Sequence, residues 1–161
     1  MEQLELTLAY DLPEKLVPLF TEYTDMLVQE DPSFRHYLDI QHYDDEVRDL
    51  RKKYGLPDGR LYLAHQGDTV IGCVGLRRLN DSDCELKRLY IRPAYRGRGY
   101  AHQLLDQILS DARSIGYRRM LLDTLPSLET AIGMYRRMGF YDIPCYNDSP
   151  LEDTVFLQLD L

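Results

Sequence analysis

Hydrophobic and polar positions along the chain change their period several times, and each change marks a predicted element. Residues 2–9 alternate between leucines and mostly polar side chains, which predicts a first strand with one buried face. Apolar side chains then recur at helical spacing over roughly 12–29, so a helix is expected there, with Asp11 as its N-cap. The chain therefore opens as strand followed by helix.

The segment after the first helix carries weaker signals. Asp31-Pro32 is expected to end that helix, and the aromatic-rich residues 31–42 show no clear period. A second helix is predicted over about 43–53, closed by Gly55.

Three strands joined by short polar turns are expected in the middle of the chain. They are predicted around Leu61 and Leu63, over 70–79 and over 84–91. Gly72 and Gly75 within the second of these strands indicate a bulge or a close approach of another backbone.

Helices and strands alternate in the last third of the chain. The predicted order is a helix over 101–115 closed by Gly116, a strand over 119–123, a helix over 128–138 ended by Gly139, and strands over 140–144 and 153–160. Without any internal repeat or linker, residues 1–161 are interpreted as a single α/β domain.

Composition narrows the classes of function. The formal net charge is -8, and residues 1–50 hold thirteen Asp/Glu against three Lys/Arg, which argues against a nucleic-acid partner. The acidic surface either keeps the protein in solution or attracts a cationic substrate. No apolar run approaches the ~18 residues of a membrane span, so no membrane partner is expected. Three widely spaced cysteines predict a cytoplasmic location, and the histidines lack metal-binding spacing, so no metal is expected.

One basic stretch stands out against this acidic background. Residues 87–101 read as a buried strand, a glycine-containing turn and the start of a helix. The stretch contains no acidic residue and five basic ones, namely Lys87, Arg88, Arg92, Arg96 and Arg98. A helix N-terminus offers free N–H groups and the positive end of a dipole, and glycine allows close approach of a ligand. The stretch therefore predicts a pyrophosphate-binding turn.

Three motifs, taken in order along the chain, indicate a protein family. They are the strand end Leu89-x-Ile91-x-Pro93, the turn Arg96-x-x-Gly99-x-Ala101 and the later Tyr135-x-x-x-Gly139-Phe140. Together they closely resemble the GCN5-related N-acetyltransferase (GNAT) superfamily, whose order of elements agrees along nearly the whole chain. The resemblance implies an α/β fold with a mixed sheet of about six to seven strands, about four flanking helices and splayed strands at an acetyl-CoA site.

The resemblance also implies which residues bind acetyl-CoA as cosubstrate. Main-chain groups of Leu89 and Ile91 would bond the pantetheine arm in the manner of an added strand. The pyrophosphate would meet the turn formed by Arg96, Gly97, Arg98, Gly99, Tyr100 and Ala101. One departure is Leu128, which stands where many members carry an asparagine that contacts the cofactor.

Catalytic roles follow from the same resemblance. Tyr135 matches the tyrosine that contacts the cofactor and protonates the departing thiolate. Glu85 is the predicted general base, on a strand face that the alternation gives to Glu85, Lys87, Leu89 and Ile91. An ordinary salt bridge with Lys87 or Arg88 is the alternative for Glu85, and Asp123 is the second candidate for the base.

The acceptor site is expected between the first helices and the last hairpin. Tyr37, Tyr146 and Asp148 are the candidate substrate contacts, although the loop around Asp148 also has ordinary turn composition. The predicted function is acetyl transfer to an amine of a small molecule or protein by an enzyme that, like many relatives, could pair as a homodimer. A non-catalytic CoA-binding regulatory module is the alternative.

Overall fold

A seven-stranded sheet with helices on both faces forms the framework of the computed structural model, which describes residues 3–161. The strand order is β1-β2-β3-β4-β5-β7-β6, with β4 and β5 parallel and the other neighbours antiparallel. The strands are β1 (Glu5–Leu8), β2 (Arg60–Gln66), β3 (Thr69–Arg78), β4 (Asp83–Ile91), β5 (Arg119–Thr124), β6 (Tyr141–Asp142) and β7 (Val155–Asp160). The mixed α/β fold predicted from the sequence is confirmed.

Six α-helices cover the sheet in the described part of the chain. They are α1 (Pro13–Glu30), α2 (Phe34–Ile40), α3 (Tyr43–Arg48), α4 (Leu50–Tyr54), α5 (Tyr100–Ile115) and α6 (Glu129–Arg137). One core cluster joins α5 and α6 to one sheet face, while α1 and α4 pack on the other. Within residues 3–161 no helix combines the length and apolarity needed to cross a bilayer.

Several predictions for the first half need correction. Asp11 does not cap α1, because Leu12 occupies the N-cap and the Asp11 carboxylate accepts a hydrogen bond from Arg51 at 2.8 Å. The segment without clear period contains α2. The helix predicted over 43–53 is two helices, because the backbone leaves helical geometry at Asp49. The predicted first strand begins at residue 2, which lies outside the described residues.

A β-bulge in β4 overturns the predicted common face of Glu85, Lys87, Leu89 and Ile91. Arg88 has φ +58°, and the register with β3 shifts between Cys73 and Gly75. The extra residue reverses the alternation, so Glu85 and Lys87 point to the side of α2, whereas Leu89 and Ile91 pack in the cluster with α5. Of the two alternatives predicted from the β3 glycines, the close approach is confirmed, since a Cβ on Gly72 would lie 2.2 Å from the Tyr90 carbonyl oxygen, whereas the bulge lies in the partner strand β4.

The parallel pair β4 and β5 separates soon after it begins. The two strands pair only from Asp83 to Glu85 and from Arg119 to Leu121. Beyond these residues β4 continues to Ile91 with β3 as its only strand neighbour in the described structure. The separation leaves a free strand edge and an opening in the middle of the sheet.

Candidate active site

A cavity of about 860 Å³ occupies the opening between the separated ends of β4 and β5. Residues 86–91 form one wall and residues 122–125 the other, while α1, α2, α6 and the start of α5 complete it. The cavity therefore connects the glycine turn at one end with the first helices at the other.

The turn before α5 has the geometry of an anion cradle. Gly97 and Gly99 have φ of +79° and +80°, a conformation that side chains with a Cβ rarely adopt. The helix begins at Tyr100, and its first turn carries no acidic side chain. Its first amide N–H groups lack acceptors within the helix and lie at the positive end of the dipole.

Most residues predicted to bind the cofactor line this cavity. They are Leu89, Ile91, Arg96, Gly97, Gly99, Tyr100, Ala101 and Tyr135. Arg98 is the exception, because its exposed side chain lies over the ring of Tyr95 at 5.5 Å and is not part of the cavity wall. Arg96 also fastens the turn to the strand, since its Nε donates to the Ile91 carbonyl at 2.8 Å.

Tyr135 of α6 is part of the cavity wall. Its ring is 6% exposed and packs on Phe140 with 5.5 Å between centroids. No group among residues 3–161 hydrogen-bonds its hydroxyl. Burial, with a smaller contribution from Tyr23, raises the pKa of Tyr135 well above its usual range. The side chain is therefore a protonated phenol whose proton is available to a molecule in the cavity.

Asp123 forms a polar cluster at the end of β5. The Tyr37 hydroxyl donates to its carboxylate, and Asn147 Nδ2 donates to Asp123 Oδ2 at 2.8 Å. Burial and then the charge of Asp123 raise the pKa of Tyr37 well above its usual range. Tyr37 and Asp123 line the cavity, while Asn147 braces them from the last loop. Asn147 belongs to the loop expected to border the acceptor site, but its run of turn-forming residues gives no sign of this contact with Asp123.

Glu85 lies behind the cavity wall. Its buried carboxylate accepts hydrogen bonds from Arg77 Nε at 2.8 Å and from the Tyr146 hydroxyl at 2.6 Å. Neither Glu85 nor Tyr146 lines the cavity, and Asp148 is exposed outside it. The structure thus brings Glu85 together with Tyr146, whereas Asp148 is apart from both. The salt bridge considered for Glu85 is formed mainly by Arg77, because Lys87 is 3.9 Å away.

Comparison with known proteins identifies the family to which the chain belongs. Residues 20–140 match the family described as Acetyltransferase (GNAT) family. The chain belongs to the GNAT family. It is therefore an acetyltransferase, and the resemblance noted in its three motifs is confirmed.

The similarity to relatives and solved structures covers most or all of this GNAT chain. An uncharacterized N-acetyltransferase of Schizosaccharomyces pombe is 35% identical over 139 residues, which are 84% of this chain and 85% of the relative. An acetyltransferase from Streptococcus agalactiae superposes with a TM-score of 0.79 at 20% identity, covering 100% of both chains. A Bacillus subtilis acetyltransferase solved in complex with CoA gives 0.67 at 21% identity, covering 99% of each. At these identities the two solved structures support the fold alone.

Proposed function

We propose that this GNAT enzyme uses acetyl-CoA to acetylate an amine of a small molecule or protein. The observation that carries the proposal is the continuous cavity with a glycine cradle at one end and the available Tyr135 hydroxyl in its wall. The CoA bound in the Bacillus subtilis structure supports the same choice of cosubstrate. A cytoplasmic location and a homodimer stay predictions.

The residues of the cavity fit the parts of acetyl-CoA. The positive φ of Gly97 and Gly99 turns the chain so that the first amides of α5 can meet the two phosphates. The free edge of β4 can bond the pantetheine arm as an added strand would. The Ile91 carbonyl already accepts from Arg96, so the main chain of Leu89 is the better contact for this arm.

Transfer forms a C–N bond and breaks the C–S bond of the thioester, which supplies the activated acetyl group. Tyr135 is a protonated phenol at neutral pH, and it donates its hydroxyl proton to the sulfur as the C–S bond breaks. The attacking amine must be neutral. Its nitrogen becomes positively charged as the C–N bond forms, and it then loses one proton to give the amide. Both protons are thereby accounted for by a general acid and a general base.

We assign Asp123 as the general base because of its position in the cavity wall. Its carboxylate lines the cavity and is held by Tyr37 and Asn147, which leaves lone pairs for the amine. Glu85, the base predicted from the sequence, lies outside the cavity wall and could act only through Tyr146 or a water molecule. The role of Glu85 stays a prediction, and its contacts favour support of the acceptor loop.

Replacement of Tyr135 by Phe tests the proposal because it removes only the hydroxyl. We expect kcat for CoA release to fall about 10²- to 10³-fold, as for the loss of a general acid, while the acetyl-CoA Kd changes less than about twofold. Thiol release reports kcat and calorimetry reports Kd. Tyr141→Phe, on an exposed tyrosine remote from the cavity, is the matched control. A Tyr135→Phe enzyme as fast as wild type would refute the general-acid role.

A further inference from the structure

Lys87 places a buried ammonium group at the end of the cavity nearest the first helices, which is called the acceptor end because the acceptor is expected there. Its side chain is 7% exposed, and the residue lines the cavity beside Gln41 and Arg88. The polar contacts of Nζ are long, at 3.4 Å to Gln41 Oε1 and 3.9 Å to Glu85 Oε1. An ammonium has three donors, and good hydrogen bonds are about 2.7–3.2 Å long. Lys87 therefore keeps donor capacity for a molecule in the cavity.

The neighbouring carboxylates, Glu85 and Glu46, are neutralised by cations other than Lys87. Glu85 is already paired with Arg77 at 2.8 Å and accepts from Tyr146 at 2.6 Å. Glu46 accepts two hydrogen bonds from Arg88, each at 2.9 Å. Since each carboxylate has a closer cation, neutralising Glu85 or Glu46 does not explain why a lysine is buried here.

Positive charge exceeds negative charge in this part of the protein. Three carboxylates, Glu46, Glu85 and Asp123, stand against four cations, Lys53, Arg77, Lys87 and Arg88. Burial and then repulsion by Lys87 lower the pKa of Lys53 to about 8, even though its ammonium group donates to Glu46. An anion entering beside Lys87 would relieve this imbalance.

The rest of the acceptor end is mostly apolar. Phe34, Leu125 and Leu151 line it, and Asp123 lies on the opposite wall from β4. A cavity with a cation on one strand, a carboxylate on the next and apolar walls between them is complementary to a molecule that carries an amine, a carboxylate and an apolar skeleton.

We propose that Lys87 binds a carboxylate of the acceptor, and that the acceptor is a small amino acid-like amine with an apolar skeleton. The amine would lie towards Asp123 and the carboxylate towards Lys87. The inference rests on the proposed acetyl transfer and narrows its acceptor. It favours amino carboxylates over purely cationic acceptors, which the acidic first third of the sequence left open.

Matched pairs of acceptors test the proposal. Phenylalanine, leucine, methionine and tyrosine are each compared with the corresponding decarboxylated amine in a CoA-release assay. We expect the wild-type enzyme to prefer the acid of at least one pair. Lys87→Met should raise the KM for that acid about 10- to 100-fold, the size expected for loss of a charged hydrogen bond, and leave the amine within about twofold. Lys52→Met, on an exposed lysine of α4, is the control.

Binding of the acetylated products separates this inference from the proposed function. Calorimetry with CoA present compares N-acetylphenylalanine with N-acetylphenethylamine, and no turnover is needed. Stronger binding of the acid in wild type and its loss in Lys87→Met support the carboxylate site. Equal binding of the two products, or an unchanged preference in the variant, overturns it even if amines are acetylated. Thermal melts of each variant show that the fold is retained.

Discussion

The buried ion pair between Glu46 and Arg88 should be one of the most sensitive points of the fold. The Glu46 and Arg88 side chains are 1% and 3% exposed, and Lys53 and Tyr54 also donate to the Glu46 carboxylate. Glu46→Gln removes the charge and keeps the size, which leaves two cations buried without their partner. Breaking a buried pair in this way costs about 3–5 kcal/mol. For a chain of this length that corresponds to a fall in Tm of about 6–20 °C.

Thermal and urea unfolding, followed by circular dichroism, measure this loss. The control is Asp11→Asn, which breaks an exposed pair with Arg51 whose side chains are 85% and 59% exposed. Its cost should stay below about 1 kcal/mol, because water screens exposed pairs. A loss for Glu46→Gln no larger than that for Asp11→Asn would show that the buried pair does not stabilise the fold.

The pH dependence gives a second check on the same pair. Burial alone would raise the pKa of Glu46, but the charge of Arg88 and its hydrogen bonds lower it well below the usual range. A depressed carboxyl pKa stabilises the fold above the unfolded value of about 4.3, and that stability is lost as the pH falls further. The stability difference between wild type and Glu46→Gln should therefore be full at pH 7 and shrink below pH ~4. A constant difference down to pH ~2 would contradict this account.

Two glycine substitutions test the geometry of the strand pair and of the cradle. Gly72→Ala puts a Cβ 2.2 Å from the Tyr90 carbonyl oxygen, so strands β3 and β4 must shift, and urea unfolding should show a loss of about 3 kcal/mol. Gly99→Ala forces a Cβ onto φ +80°, and this strain of about 1–2 kcal/mol should weaken acetyl-CoA binding by about tenfold or more in calorimetry.

Each glycine substitution has a counterpart elsewhere in the chain. In Gly133→Ala the new Cβ meets only the flexible end of Arg137 at 3.2 Å within α6, so stability should stay the same or rise by up to about 1 kcal/mol. Gly67→Ala carries similar strain at φ +56° in the β2–β3 turn, outside the main cavity, so acetyl-CoA affinity should not change. If Gly67→Ala weakens binding as much as Gly99→Ala, the effect does not come from the cradle.

Local signals predicted the elements whose pattern lies in a single stretch of chain. The helix α5, its closing Gly116 and the glycine turn before it follow from helical spacing and glycine positions, and the structure has all three. The division of the predicted helix over 43–53 did not follow. Glu46 and Tyr54 would be about 12 Å apart along one straight helix, yet they are hydrogen-bonded at 2.9 Å because the chain breaks at Asp49.

The alternation of side chains along a strand did not predict correctly which residues of β4 share a face. Alternation placed Glu85 with Leu89, and it would have been correct for a regular strand. The bulge at Arg88 depends on its bonds to Glu46 and Gln41, residues more than forty positions away in the chain. No local pattern reports such a partner, so the cation at the cavity could not be foreseen from its own strand.

The sequence alone determined the GNAT family and the glycine turn at one end of the cavity, because this region is built from consecutive residues of one strand, turn and helix. Only the tertiary structure decided the other end, which we propose for the acceptor, where Lys87 of β4 and Asp123 of β5 line the cavity and Asn147 of the last loop donates to Asp123. Those residues come from three distant segments, and their approach depends on how β4 and β5 separate. The end with the glycine turn is thus encoded locally, while the proposed acceptor end is a product of long-range packing.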